Sequence, residues 1–448
     1  MDLLNIRKDL KEHSYLFVTR FILKTIYYKL IRIFIFPIAI FIACLRPWMR
    51  IRFIPLSCLT IGHYSLSIEV LLCKIDQDRD NKRKEIIIYL QKPKSEVCNL
   101  QLYKMWKRVL SIPPDVLYFV LIHVELYLEH WFGIHQYKMI LGQASHDRWD
   151  VLETSKQHLH FTKEELLQGE NILVNMGIPK NLKYICLLVR DEAYYLNNAT
   201  YSKMSAYKNS DIATYKKAAL FLANNGYYVI RMGKFVKKSF DVKHDKIIDY
   251  ANSAFRSDFM DIYLSSHCYF FMSTLCGLDG VAHAFRRPIL ATNVTPIGYF
   301  DLGYPVKVFL SKKIINSRGD VLTFEKQNEI FNVVSNELFN KMLNDYALTL
   351  IDNTEDEILE VTKEMVLRMQ EKWCDTGSSL EVQKRFWSIM PKNKFYLNGD
   401  GTLRIMPKCQ YEARYCTDDL LKNRALLEDE RVIVSVPRQT HVAIDEDK

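Results

Sequence analysis

Glycine and proline are scarce, 15 and 13 in 448 residues, which excludes a fibrous or low-complexity chain. No CxxC pair occurs, and the ten cysteines (44, 58, 73, 98, 186, 268, 276, 374, 409 and 416) are scattered, with no Cys/His cluster at zinc spacing. They read as small apolar core residues of a chain kept in a reducing compartment. The sequence contains no GxxxxGK[ST], GxSxG or HExxH, so P-loop ATPase, α/β-hydrolase and zincin readings have no support. It also lacks an uncharged apolar run of the roughly 20 residues that a spanning helix needs.

What is present is the composition of a folding chain: 49% hydrophobic, 12% aromatic and 25% charged, too apolar for disorder. The length implies two large domains or three smaller ones and excludes a single small binding module. The net charge of +9 is not spread evenly, because residues 1–52 hold ten Lys/Arg against three Asp/Glu. The other 396 residues carry only +2. A basic excess packed into one short apolar segment suits an anionic lipid surface and not a nucleic-acid groove. Ile33–Leu45 (IFIFPIAIFIACL) is apolar, interrupted by Pro37 and flanked by basic residues on both sides. Its length predicts an anchor at the membrane interface, with a buried core helix and a true span as alternatives. A secretory signal does not fit, since the run begins late and lacks a small-residue cleavage site.

Beyond Arg52 the pattern predicts helices over Tyr64–Lys74 and Gln101–Leu110, a strand over Glu85–Leu90, and an extended apolar segment over Val116–Leu121. Thr162 and Glu165 form a capping-box signature ahead of a helix over Phe161–Met176. Strands are expected at Lys183–Val189, Gly226–Met232, Cys268–Met272, Pro288–Thr292 and Val306–Leu310. Helices are expected at Asp211–Asn224, Ser257–Ser265, Asp279–Phe285, Glu325–Phe339 and Glu355–Glu371. Short buried strands separated by helices indicate a parallel sheet covered on both faces. The expected class is α/β, with two lobes divided near residues 145–180. Residues 396–448, with NGDG at Asn398–Gly401, read as a polar extension.

In parallel sheets ligands collect where strands end, because loops there meet helix N-termini that favour anions. Arg190 and Asp191 follow one strand, Arg231 and Gly233 close the next, and Ser273-Thr274-Leu-Cys-Gly277-Leu-Asp-Gly280 links a third to the helix of His283. The two glycines and two hydroxyls of this loop could bring backbone close to a phosphate, while the arginines neutralise it. In the first lobe Gly62 allows close approach of another group, His63 can act as a base near neutral pH, and Glu69 lies six residues on. The carboxylate run Asp76–Asp80 lacks the glycine and glutamate of a calcium loop and reads as solvated, so no metal site is expected.

IGH (61–63) with Glu69, LLVRDEAYY (187–195), YKNSDIATY (207–215), GYYVIRMG (226–233), AHAFRRPIL (282–290) and ATNVTPIG (291–298) together resemble a family of bacterial glycosyltransferases from surface-polysaccharide loci. The resemblance covers roughly residues 45–310. More distantly, the second-lobe loop is similar to the donor-binding region of GT-B enzymes such as the heptosyltransferases. The chain departs from the family pattern in having Lys208-Asn209 for an Arg–Asn pair, and Ser273-Thr-Leu-Cys-Gly277 where the family loop reads Ser-Gly.

The resemblance implies two Rossmann-like, GT-B-like lobes behind an N-terminal apolar helical segment. Residues 1–52 would associate with the membrane, 53–160 form the acceptor-side lobe, 161–395 bind the nucleotide-sugar, and 396–448 extend from it. It implies transfer of a sugar from a nucleotide-sugar donor to a cell-envelope polysaccharide or lipid-linked glycan acceptor, at the cytoplasmic face of the inner membrane, with no further cofactor. Donor contacts would fall to Arg190, Asp191, Lys208, Asn209, Arg231, Gly233, Ser273, Thr274, Gly277 and His283. His63 would be the base and Glu69 would orient it. The alternative is a non-catalytic scaffold subunit of a polysaccharide assembly complex.

Overall fold

A computed structural model describes residues 35–45, 47–78, 85–132, 147, 151–195, 205–297, 305–331, 336–389 and 414–427. The basic stretch before residue 35 and the NGDG turn lie outside the described residues.

The N-terminal unit is built on two parallel strands, β1 (Arg50–Pro55) and β2 (Glu85–Leu90), with Arg50 opposite Glu85 and Pro55 opposite Leu90. Parallel strands require a crossover, here the helix that begins near residue 61 and becomes α1 (Ile68–Gln77). Successive strand residues face opposite ways, so the two faces of this sheet bury different partners. Ile54 and Tyr89 join α1 and α2 (Leu100–Val109) in the main core. Phe53 and Leu90 face a separate cluster with Ile35, Ala39, Val124 and Leu128.

That second cluster corrects one expectation. Val116–Leu121 is not extended: a 3-10 turn over Asp115–Leu117 leads into α3 (Tyr118–Phe132). A six-residue apolar window has no period that separates a buried strand from a helix apolar on every side. Length decides, and the helix continues to Phe132, past His123, Glu125 and Glu129, which lie beyond that window.

The Thr162–Glu165 capping box is present, with both reciprocal bonds, at the start of α4 (Lys163–Asn175). The larger sheet then uses β3 (Tyr184–Leu188), β4 (Tyr228–Arg231), β5 (Ile247–Ile248), β6 (Phe270–Ser273), β7 (Ile289–Val294) and β8 (Val306–Ser311). β9 (Lys313–Ile315) and β10 (Thr349–Ile351) form a small antiparallel pair beside it. β11 (Arg414–Tyr415) completes the seven, in the order β5-β4-β3-β6-β7-β8-β11 with every pairing parallel. Every residue of β3, β4, β6 and β7 is buried, as a sheet with both faces covered demands.

Among the covering helices, α5 (Lys216–Asn224) packs on α8 (Glu355–Met369), and α6 (Asp258–His267) packs on both α7 (Asp279–Ala284) and α2. The helix expected over Glu325–Phe339 is seen as two segments, Phe324–Ile330 and Asn336–Asp345, with 332–335 undescribed between them.

One continuous core runs from Ile54 through the large sheet to Leu427. The segment read as a polar extension therefore returns to the fold from residue 414. Tyr415 is fully buried, its hydroxyl is 2.9 Å from Ser311 Oγ, and Cys416 N donates to Phe309 O.

Candidate functional site

Numbered by appearance, the strands run third, second, first, fourth, fifth, sixth across the large sheet, so the direction of winding reverses between β3 and β6. Loops leaving the carboxyl ends of those two strands diverge to opposite faces and open a crevice, the usual ligand position in such sheets. A pocket occupies this place. Leu188 to Asp191 line it from β3, Cys276 to Leu278 from β6 and Gly233 to Val236 from β4, while Thr60, Ile61, Cys98 and Asn99 wall it from the N-terminal unit.

The seam beside the pocket is where glycine is required. A Cβ on Gly280 would lie 2.9 Å from Gly62 Cα, and one on Gly62 would lie 3.0 Å from Gly277 O. The IGH segment and the serine–glycine loop, far apart in the chain, are therefore the two sides of one backbone-to-backbone contact. The close approach that Gly62 permits is to Gly277 and Gly280. His63 opens a π-helical turn, His63–Ser67, and a widened turn of this kind reorients side chains within a helix. The residue is exposed on one side, while its part-buried imidazole pairs with Ser67 Oγ at 3.1 Å through Nδ1 and has its pKa lowered by desolvation, so it is neutral near pH 7.

Arg190 is held on both its backbone and its side chain. Its N–H donates to Thr274 Oγ1 at 3.0 Å and its Nη2 to Ser205 Oγ at 2.7 Å. Lys208 is buried nearby, and burial, reinforced by the Arg190 charge, lowers its pKa to about 7. Asp191 accepts from the backbone of Ala193 and Lys237, which fixes the loop. Asn209 offers its carbonyl to Lys312 Nζ. Gly233 has φ +151, and a Cβ there would meet Val236 at 2.6 Å.

Several expected ligands are turned to other work. Arg231 is buried and donates to Asp249 Oδ1 at 3.0 Å and Lys238 O at 2.9 Å, so it braces the loop after β4 and does not line the pocket. Ser273 donates to Asp279 Oδ2 at 2.7 Å, and the same carboxylate oxygen accepts from Cys276 N. A protein carboxylate thus holds the loop's serine and one of its N–H donors, the groups that were expected to cradle a phosphate. Thr274 supports Arg190 from below the surface, and His283 is buried in α7 with Nδ1 donating to Asp279 O.

Glu69 is fully buried and its carboxylate is engaged away from His63. It accepts from Arg286 Nη1 at 2.7 Å and from the backbone N of His158 at 3.1 Å, with His158 Nδ1 at 3.3 Å. Ser67 is the residue that touches His63. Glu69, Cys73 and His158 bring three metal-ligand atoms within 4.8 Å of one another. The Arg286 guanidinium fills this site, with Nη2 3.3 Å from Cys73 Sγ, and it already balances the carboxylate.

Burial opposes charge on His158, but hydrogen bonds to Cys73, Glu69 and Asp76 outweigh it and raise the pKa to about 10. A histidine raised above its unfolded value of 6.5 stabilises fully below that pH, and the contribution disappears as pH rises through about 10. Melting curves of the wild type should therefore lose more stability across this window than those of His158→Gln. Parallel pH profiles would show that the histidine is not the group responsible.

The residues that sequence reasoning missed lie on the walls. Asn99 caps α2 by accepting from Leu102 N and crosses to the other unit by donating to Asp258 O. Arg256 reaches Asp261 and also lines the pocket. An asparagine directly before the helical pattern LQLYKMWKRV was a legible cap signal; its contact across the seam was not.

No family model matches the chain, and no curated protein matches it in sequence. Among solved structures it is similar to the glycosyl transferase family 9 protein from Veillonella parvula, at 10% identity and a TM-score of 0.44, over 72% of this chain and 98% of that one. It is also similar to the E. coli ADP-heptose lps heptosyltransferase II, at 13% identity and a TM-score of 0.36, over 72% of this chain and 100% of the other. The S. aureus MnaA–UDP co-structure shares 9% identity at a TM-score of 0.28, over 86% and 99% of the two chains. At these identities and scores none of them assigns a residue or an activity to this chain.

Proposed function

We propose that this protein is a glycosyltransferase that holds a nucleotide-sugar in the crevice between β3 and β6 and passes the sugar to a cell-envelope polysaccharide or lipid-linked glycan acceptor. The observation that carries the reading is the placement of Arg190 in the pocket lining, with Lys208 buried near it and outside that lining, at the switch point of a doubly wound sheet whose crevice is walled by a second unit. Transfer develops positive charge on the sugar and negative charge on the departing diphosphate, so the site must stabilise that diphosphate and activate an acceptor hydroxyl. Arg190 offers a planar fork of donors for the phosphate oxygens. Lys208 supplies a second cation when an arriving anion raises its pKa. His63, neutral and exposed on the opposite unit, is the group in this reading that accepts the hydroxyl proton. The acceptor and the cytoplasmic face of the inner membrane belong to the same reading, supported by the basic N-terminal segment.

A panel of nucleotide-sugars tests it. A donor that binds only the native state raises the melting temperature, and the responding compound then serves as substrate in a turnover assay. His63→Ala should keep that thermal response and lose turnover; unchanged turnover removes His63 from the mechanism. The scaffold reading draws on the internal closure of the Ser273–Gly280 loop by Asp279. Absence of any thermal response across the panel would overturn the transferase reading in its favour.

A further inference from the structure

Two helices lie over the outer face of the β1–β2 sheet, and both carry apolar side chains on the side away from it. Residues 35–44 are helical; Ile35 and Ala39 face the sheet, while Ile38 and Phe41 point outward, Phe41 being 64% exposed. On α3, Val124 and Leu128 face inward. The opposite side is apolar as well, with Leu126 43% exposed and Phe119 half-buried. Phe36 packs edge-on against both Tyr127 and Trp131, which joins the helices into one layer. Tryptophans stand exposed at the carboxyl side of each: Trp48, past the first helix, at 77%, and Trp131, in the last turn of α3, at 62%.

A soluble surface seldom keeps this much aromatic and aliphatic area in water, and one bounded by tryptophans has the composition of a membrane-interface layer. We infer that the helix at 35–44 and α3 together form a platform that seats this protein on an anionic lipid bilayer, with α3 entering the interface alongside the N-terminal segment. Charge favours lipid as the occupant, because residues 1–52 carry ten Lys/Arg against three Asp/Glu. The two acids of α3, Glu125 and Glu129, are half-buried and each has a partner. Among the described residues no helix is long and apolar enough to cross a membrane. The N-terminal segment alone was the expected anchor. What the fold adds is a second helix from seventy residues further on, fixed beside it by the shared sheet.

Flotation of the full-length protein with vesicles tests this without donor or acceptor, so the outcome is independent of the sugar-transfer reading. The wild type should float with vesicles of phosphatidylcholine and phosphatidylglycerol in equal parts, float less with phosphatidylcholine alone, and be partly released by salt. Leu126→Asp should lower partition about tenfold, the scale of losing one inserted leucine, with an unchanged melting temperature. Leu126→Ser, a milder change, should lower it less. Wild-type partition of both variants would exclude α3 from the platform. A wild type that ignores both vesicle types, or instead forms a dimer through this face in sedimentation, would overturn the proposal.

Discussion

Arg190→Ala is expected to weaken nucleoside-diphosphate binding by roughly ten- to a hundredfold, the range for losing a hydrogen bond to a charged group. Titration calorimetry with the free diphosphate would read it directly. The main chain at this position should survive the change, because the residue's own N–H still donates to Thr274 Oγ1. Arg190→Lys should recover only part of the affinity, since an ammonium keeps the charge but loses the fork. A variant that binds the diphosphate as tightly as the wild type would remove Arg190 from the site. Lys208 and the pocket lining would then be insufficient grounds for a diphosphate ligand, since Arg231 and Ser273 are already committed to internal partners.

Gly280→Ala should destabilise the protein by about 1–3 kcal/mol, the usual cost of forcing atoms into a filled space. The new methyl carbon would stand 2.9 Å from Gly62 Cα and 3.2 Å from Gly62 O and Ser65 Oγ. Two of these neighbours are backbone, so relief requires the helix from residue 61 to move away from α7. Because Ile61 and Gly277 line the pocket, the same shift should weaken the thermal response to any nucleotide ligand. Gly377→Ala is the matched control, with nothing within 4 Å of its added Cβ. If Gly280→Ala melts with the wild type, the seam is looser than the contact distances imply.

How far the sequence could be read depended on whether a signal was local. The capping box at Thr162 needs only four consecutive residues, and it is present. Strands β3, β4, β6, β7 and β8 were recognisable as short apolar runs bounded by turns, because a doubly covered strand must be apolar on both faces. The run after Pro114 carried the same local signature yet forms α3. Its helical state depends on a 15-residue length and on packing over β1 and β2, which a short window does not contain.

Site residues divide along the same line. That Arg190 and Arg231 end neighbouring strands was legible, but a strand end says nothing about which way a side chain turns. Asp249, eighteen residues after Arg231, claims that guanidinium, and Asp279 claims the hydroxyl and N–H expected to meet a phosphate. Glu69 was placed beside His63 by proximity in the chain, whereas Arg286, 217 residues away, takes its carboxylate.

The alternation of strand and helix, the basic apolar N-terminal segment and the residue types at the strand ends were determined by sequence alone, because each follows from neighbours within one or two turns of chain. Tertiary structure decided that IGH and the serine–glycine loop meet glycine to glycine, that β11 returns to the sheet, and which cations stay in the crevice. Those outcomes depend on which distant carboxylates and backbone segments come within hydrogen-bonding or van der Waals range, a condition that only the folded chain sets.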